Sequence, residues 1–111
     1  TLMVAARGDS LGLVDRAVIE AVGPDGHIVN ISRGGVIDED ALIEALREGR
    51  LGGAGLDVFR EEPTPAARWH DVPNTILSAH MAGQTVEAMA RLRSAAARNL
   101  LTALDGGPVV N

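Results

Sequence analysis

With 111 residues, a formal charge of −5 and its ten basic residues, all Arg, scattered singly, the chain is one small domain at most and has no basic stripe that would suit a nucleic acid. It contains no Cys, which excludes disulfides and thiolate metal sites, and no apolar run of about 18 residues that would span a bilayer. Phe59 and Trp69 are the only aromatics, so stacking platforms for bases are missing and a core has to be built from Ala, Val, Ile and Leu.

Residues 2–6 read as a short buried strand, and the chain opens at Thr1 inside that apolar run, as a piece of a longer protein would. Arg7-Gly8-Asp9-Ser10 spells an adhesion tripeptide, but without a secretion signal it is read as a plain turn. Residues 15–22 have helical spacing, with Asp15 placed where its charge suits a helix N-terminus, and Gly23-Pro24-Asp25-Gly26 stops them. Residues 27–32 alternate and are β-branched, which predicts a strand. Residues 38–46 open on acidic side chains and put Ala41, Leu42, Ala45 and Leu46 on one helical face, and Gly49 closes that helix. Residues 54–59 predict the next strand, 60–74 a Pro-rich loop long enough to carry function, and 75–78 a further strand. From Gln84 to about Leu104 the pattern is helical, with Val86, Met89, Ala90, Leu92, Ala96, Leu100 and Leu101 along one stripe.

Strands alternating with helices across short loops imply an α/β fold with parallel pairing, the second half of a Rossmann-type doubly wound sheet carrying a long C-terminal helix. In such sheets ligands bind beyond the carboxyl ends of the strands. Three charged groups fall there: Arg33 in N-I-S-R-G-G, Glu62 in L-D-V-F-R-E-E-P and His80 in S-A-H-M-A-G. Taken singly, a strand-end Arg is most often a surface ion pair and a single His a solvated one. Delivered from three segments to one rim, an anion clamp, a carboxylate and an imidazole point to catalysis on a small molecule. His27 and His70 have no metal-like spacing to another ligand, and no metal site is expected.

In order and spacing, N-I-S-R-G-G-V-I-D-E-D-A-L-I-E-A-L, G-A-G-L-D-V-F-R-E-E-P and P-N-T-I-L-S-A-H-M-A-G-Q-T resemble the NAD(P)-dependent D-2-hydroxyacid dehydrogenases, with a flavour of the glyoxylate/hydroxypyruvate reductase branch. The likeness runs from about Leu13 to the C-terminus. It implies that residues 1–111 are part of an NAD(P)-binding domain without its glycine-rich loop and substrate domain, in a cytoplasmic homodimer that binds NAD or NADP and a small 2-oxo or 2-hydroxy acid. No G-x-G-x-x-G follows a strand anywhere in the chain, and in the family that element lies upstream. Alone, the chain is therefore expected to be inactive and to bind NADH weakly.

Reducing a 2-oxo acid takes a hydride donor, a proton for the forming alkoxide and a cation for the carboxylate. The resemblance gives the proton to His80, its orientation to Glu62 and the carboxylate clamp to Arg33, whose planar fork fixes direction as well as charge. It further implies that Asp57 meets the nicotinamide carboxamide, and that Ile31, Ser32 and Arg33 line the nicotinamide together with His80, Met81, Ala82 and Gly83. Three departures from the family pattern weaken the expected loop contacts: Ala79 stands where many members have Pro, Ala82 where they have Gly, and Arg7-Gly8-Asp9-Ser10 is shorter than the usual loop after the strand at 2–6. The rival reading is a non-catalytic module of the same fold that senses dinucleotide or binds a protein. The missing phosphate loop favours it; the joint presence of Arg33, Glu62 and His80 favours the enzyme.

Overall fold

A computed structural model describes residues 1–3 and 10–109. The residues form two compact units, Thr1–Met81 and Ala82–Asn111. The first holds a four-stranded parallel sheet in the order β1 (Leu2–Met3), β2 (His27–Asn30), β3 (Gly53–Leu56), β4 (Thr75–Leu77). Three helices connect the strands: α1 (Arg16–Val22), α2 (Glu39–Arg47) and the short α3 (Ala66–Trp69). The expected α/β class and parallel pairing are as observed. The expected strand at 2–6 is seen at Leu2 and Met3, and the remainder, with Arg7, Gly8 and Asp9, lies outside the described residues.

Local chemistry sets the helix limits. The Asp15 carboxylate accepts the Val18 N–H at 3.0 Å and Asp38 accepts that of Ala41 at 3.1 Å, so each caps a helix start whose amides would otherwise be unpaired. Gly23, at φ 76°, turns the chain out of α1 in a conformation that a Cβ would oppose.

Register decides what is buried. Ile28 pairs with Ala54, and Asn30 with Leu56, so these positions share one face of the sheet and all four are buried. Ile19 of α1 and Ala41, Leu42, Ala45 and Leu46 of α2 join that core, as the helical spacing predicts. Each large aliphatic chain buried here contributes about 1.5–3 kcal/mol. The opposite row, Met3, Val29, Gly55 and Ile76, is more open, with Met3 63% and Ile76 78% exposed.

Three strands end earlier than expected, β4 by the single residue Ser78 and β2 and β3 by more. β2 stops at Asn30 because the Asn30 side chain, not a neighbouring strand, takes the next polar groups: Oδ1 accepts the Ser32 N–H at 3.0 Å and Nδ2 donates to the Arg33 carbonyl at 2.9 Å. β3 stops at Leu56, beyond which Asp57 turns its carboxylate to the end of β4. The Pro-rich loop also contains α3, tied down by the Trp69 indole N–H donating to Thr64 at 3.0 Å and by an edge-on Phe59–Trp69 contact with ring centroids 5.7 Å apart.

The second unit is dominated by α4 (Val86–Leu104), the expected long helix, with the Thr85 hydroxyl accepting the Ala88 N–H as its cap. Val86, Leu92, Leu100 and Leu101 of its apolar stripe are exposed.

Candidate active site

The carboxyl ends of β2, β3 and β4 deliver Arg33, Glu62 and His80 to one rim. His80 Nδ1 lies 2.7 Å from Glu62 Oε2, a charge-assisted pair when the imidazole is protonated. Glu62 Oε1 accepts the Phe59 N–H at 2.9 Å, so the carboxylate is aimed by the backbone at one oxygen and by the ring at the other. The His80 hydrogen bond, then the Phe59 amide, hold the Glu62 carboxyl below the ordinary carboxylate range, and the positive charge of Arg33 adds to that lowering. Arg33 is exposed, with one guanidinium nitrogen donating to the Ser32 carbonyl at 2.6 Å.

His80 is held in a costly backbone shape. Its φ of 52° lies in the left-handed region, where a non-glycine residue pays about 1–2 kcal/mol. Asp57 holds it there: the Asp57 carbonyl accepts the His80 N–H at 2.8 Å, and Oδ1 accepts the Met81 N–H at 2.8 Å and the Ser78 hydroxyl at 2.6 Å. A buried carboxylate thus spans the end of β3 and the turn after β4.

The Arg33 and Glu62 segments also touch. A Cβ on Gly34 would overlap the carbonyl of Phe59, so only glycine lets the turn at Gly34–Val36 lie against the Phe59-Arg60 peptide. Beside the pair, Phe59, Pro63, Leu77 and Ala79 wall a cleft of about 380 Å³ whose polar edge is Glu62 and His80.

Periodicity and strand-end placement missed three polar residues that build this rim: Asn30, which shapes the Arg33 loop; Glu39, which accepts the Arg60 N–H; and Ser78 on Asp57. Asn30 interrupts a β-branched run, which was a usable signal; Glu39 reads as one more acidic residue of a helix first turn. Of the expected nicotinamide wall, Ile31, Ser32, Arg33, Asp57, His80 and Met81 belong to the first unit and Ala82 and Gly83 to the second.

The family described as D-isomer specific 2-hydroxyacid dehydrogenase, NAD binding domain, matches residues 1–82. The chain belongs to that family. It is 44% identical over 100 residues to a 2-ketogluconate reductase of Gluconobacter oxydans, covering 90% of this chain and 32% of that protein. To a glyoxylate/hydroxypyruvate reductase A of Arabidopsis thaliana it is 42% identical over 94 residues, covering 85% and 30%. A solved NADPH-dependent glyoxylate/hydroxypyruvate reductase of Sinorhizobium meliloti, in complex with NADP and malonate, superposes with a TM-score of 0.90 at 33% identity, covering 99% of this chain and 35% of that one. The chain thus spans about a third of the length of these dehydrogenases and reductases.

The residues fit the nicotinamide half of such a cofactor. At the rim stands an exposed Ile31, an apolar side chain suited to a ring face. They do not fit the diphosphate half. The turn before α2 leads into Asp38, Glu39 and Asp40, a negative helix start that repels an anion where a phosphate site would need open amides.

Proposed function

We propose that the chain is the nicotinamide-side part of the cofactor domain of a reductase acting on C2 of a small 2-oxo acid such as glyoxylate or hydroxypyruvate, with the glycine-rich turn and the substrate domain supplied by other residues. Bound NADH or NADPH supplies the hydride. Arg33 holds the substrate carboxylate in a bidentate clamp, which fixes the carbonyl against the rim. Glu62 takes Nδ1 of His80, so the proton for the forming alkoxide leaves from Nε2. Ile31, Ser32, Asp57, Met81, Ala82 and Gly83 are assigned to the wall around the nicotinamide, Asp57 through its carboxamide. The reading extends to a cytoplasmic homodimer; the resemblance supports it, and so does the apolar surface that Leu92, Leu100 and Leu101 offer for burial.

The observation that carries this reading is the 2.7 Å His80–Glu62 contact on a backbone held in a strained conformation. A surface that only binds has no need of a proton donor braced by a carboxylate. The lack of a G-x-G-x-x-G in the 111 residues favours the alternative, a dinucleotide-sensing or protein-interaction module without turnover.

Steady-state kinetics separate the two. In a reductase carrying this chain with a glycine-rich loop and a substrate domain, His80→Gln should cut 2-oxo acid reduction by about 10²- to 10⁴-fold. Glu62→Gln should depress it less, since an amide can still hold Nδ1 but cannot pair its charge. Turnover that survives His80→Gln, or Glu62→Gln kinetics equal to wild type, overturns the assignment.

A further inference from the structure

We propose that Glu39 is a positioning residue for the His80–Glu62 pair: from the first turn of α2, its buried carboxylate closes both ends of the segment 60–68 onto one point, and so sets where that segment presents Glu62. The inference rests on the reading of that pair as the proton-delivery site.

Glu39 is 4% exposed. A carboxylate taken out of water is tolerated when it is hydrogen-bonded and paired, and an apolar side chain of similar size would cost less there. Its two oxygens are engaged separately. Oε1 accepts the Arg60 N–H in a short contact, and Oε2 accepts from Arg68 Nε at 3.1 Å. Arg68 is steadied in turn by Asp40, whose Oδ1 lies 2.9 Å from its Nη2; the Arg60 guanidinium reaches the same Asp40 at 3.9 Å. Entry to the loop and exit from it therefore meet on consecutive residues of α2.

Between those ends sits Glu62, and the two carboxylates divide one dipeptide between them. The Phe59 N–H goes to Glu62 and the next amide, that of Arg60, goes to Glu39. The two N–H groups lie in adjacent peptide planes hinged at the Phe59 Cα, so releasing the Arg60 amide frees that hinge, and a loss at Glu39 is transmitted through the Phe59 N–H to the oxygen of Glu62 opposite the one that meets His80. The role needs two acceptors on one side chain. Gln offers one carbonyl oxygen and one NH₂, so Glu39→Gln has to release either the Arg60 amide or the Arg68 guanidinium.

A charge that merely suits the start of α2 would make Glu39 a stability residue and nothing more. Carbon-13 titration of the Glu62 carboxyl in the full chain tells the two apart. In Glu39→Gln the Glu62 midpoint should rise toward the ordinary carboxylate value, and further in Glu39→Ala, with the Arg60 amide exchanging at least about tenfold faster as local opening becomes easier. An unmoved Glu62 midpoint in the near-isosteric Glu39→Gln overturns the proposal, whatever happens to stability and whether or not the Ala variant folds. Failure of the catalytic reading is separate: it would show as Glu62→Gln kinetics equal to wild type while Glu62 still responds to Glu39.

Discussion

Against α2 the sheet presents Ile28, Ala54 and Leu56, while at the carboxyl ends of the same strands the chain presents Asn30, Asp57 and, beyond β4, Ser78. The first region is an apolar wall in which any side chain of the right volume would serve. The second is a rim of polar groups, Asn30 and Asp57 buried and Ser78 exposed, each engaged by a named partner at 2.6–3.0 Å. Among the described residues no buried side-chain nitrogen or oxygen lacks a hydrogen-bond partner. The difference separates stability from position: area removed from water holds the unit together without direction, whereas hydrogen bonds are directional and aim Glu62 at His80 and shape the Arg33 turn.

Leu42→Ala attacks the wall and should give the largest effect. Leu42 is fully buried, so its truncation costs about 2–5 kcal/mol through lost burial and the cavity left behind. Urea unfolding followed by circular dichroism measures it, and the Glu62 titration should stay in place wherever the variant is folded. A Glu62 midpoint that moves in the folded Leu42→Ala protein would join wall and rim into one structure and end the distinction.

The two regions differ in the same way in how far the sequence discloses them. Period-3.6 spacing of apolar residues located α1, α2 and α4, because one face of a helix repeats at that interval. Alternation located the strands but overran β2 and β3 at their carboxyl ends, where Asn30 and Asp57 redirect the chain by side-chain bonds that no periodicity records. α3 hid in the Pro-rich loop because four residues are too few to show a period. Arg33, Glu62 and His80 were legible by motif, and the structure brings Glu62 and His80 into contact with Arg33 acting on the same carboxylate. Glu39 was not: an acidic residue in a helix first turn is expected on the surface, and its burial follows from where the segment 60–68 folds back.

Gly34→Ala tests whether the rim is one registered object. The added Cβ overlaps the Phe59 carbonyl, and backbone cannot yield as a flexible side chain would, so the Arg33 turn and the Glu62 loop are pushed apart. Overpacking of this kind costs about 1–3 kcal/mol. Calorimetry should find that loss, and the Glu62 titration should shift in the same variant because the Phe59 amide moves. Gly35→Ala is the control, since its Cβ would meet the end of the flexible Leu11 side chain and not backbone. Equal effects at the two glycines would mean that the Gly34–Phe59 contact registers nothing.

The smallest effect sharpens the comparison most, because it isolates charge from contact. Glu62 has a folded-state pKa below its ordinary value, first through His80 and then through the Phe59 amide. A carboxylate depressed in this way adds stability that is present above its unfolded pKa and is lost as pH falls through the lower folded one. The gap in unfolding free energy between wild type and Glu62→Gln should therefore be present above the ordinary carboxylate pKa of about 4.3 and close as the solution is acidified through the lower folded value. Gln keeps a carbonyl oxygen for the Phe59 N–H, so what closes is the ionic part alone. Denaturant melts of both proteins between pH 3 and 6 read it directly. A gap that stays constant across that range would make Glu62 a neutral brace for its loop, and the pairing with His80 would then have no energetic expression in the folded state.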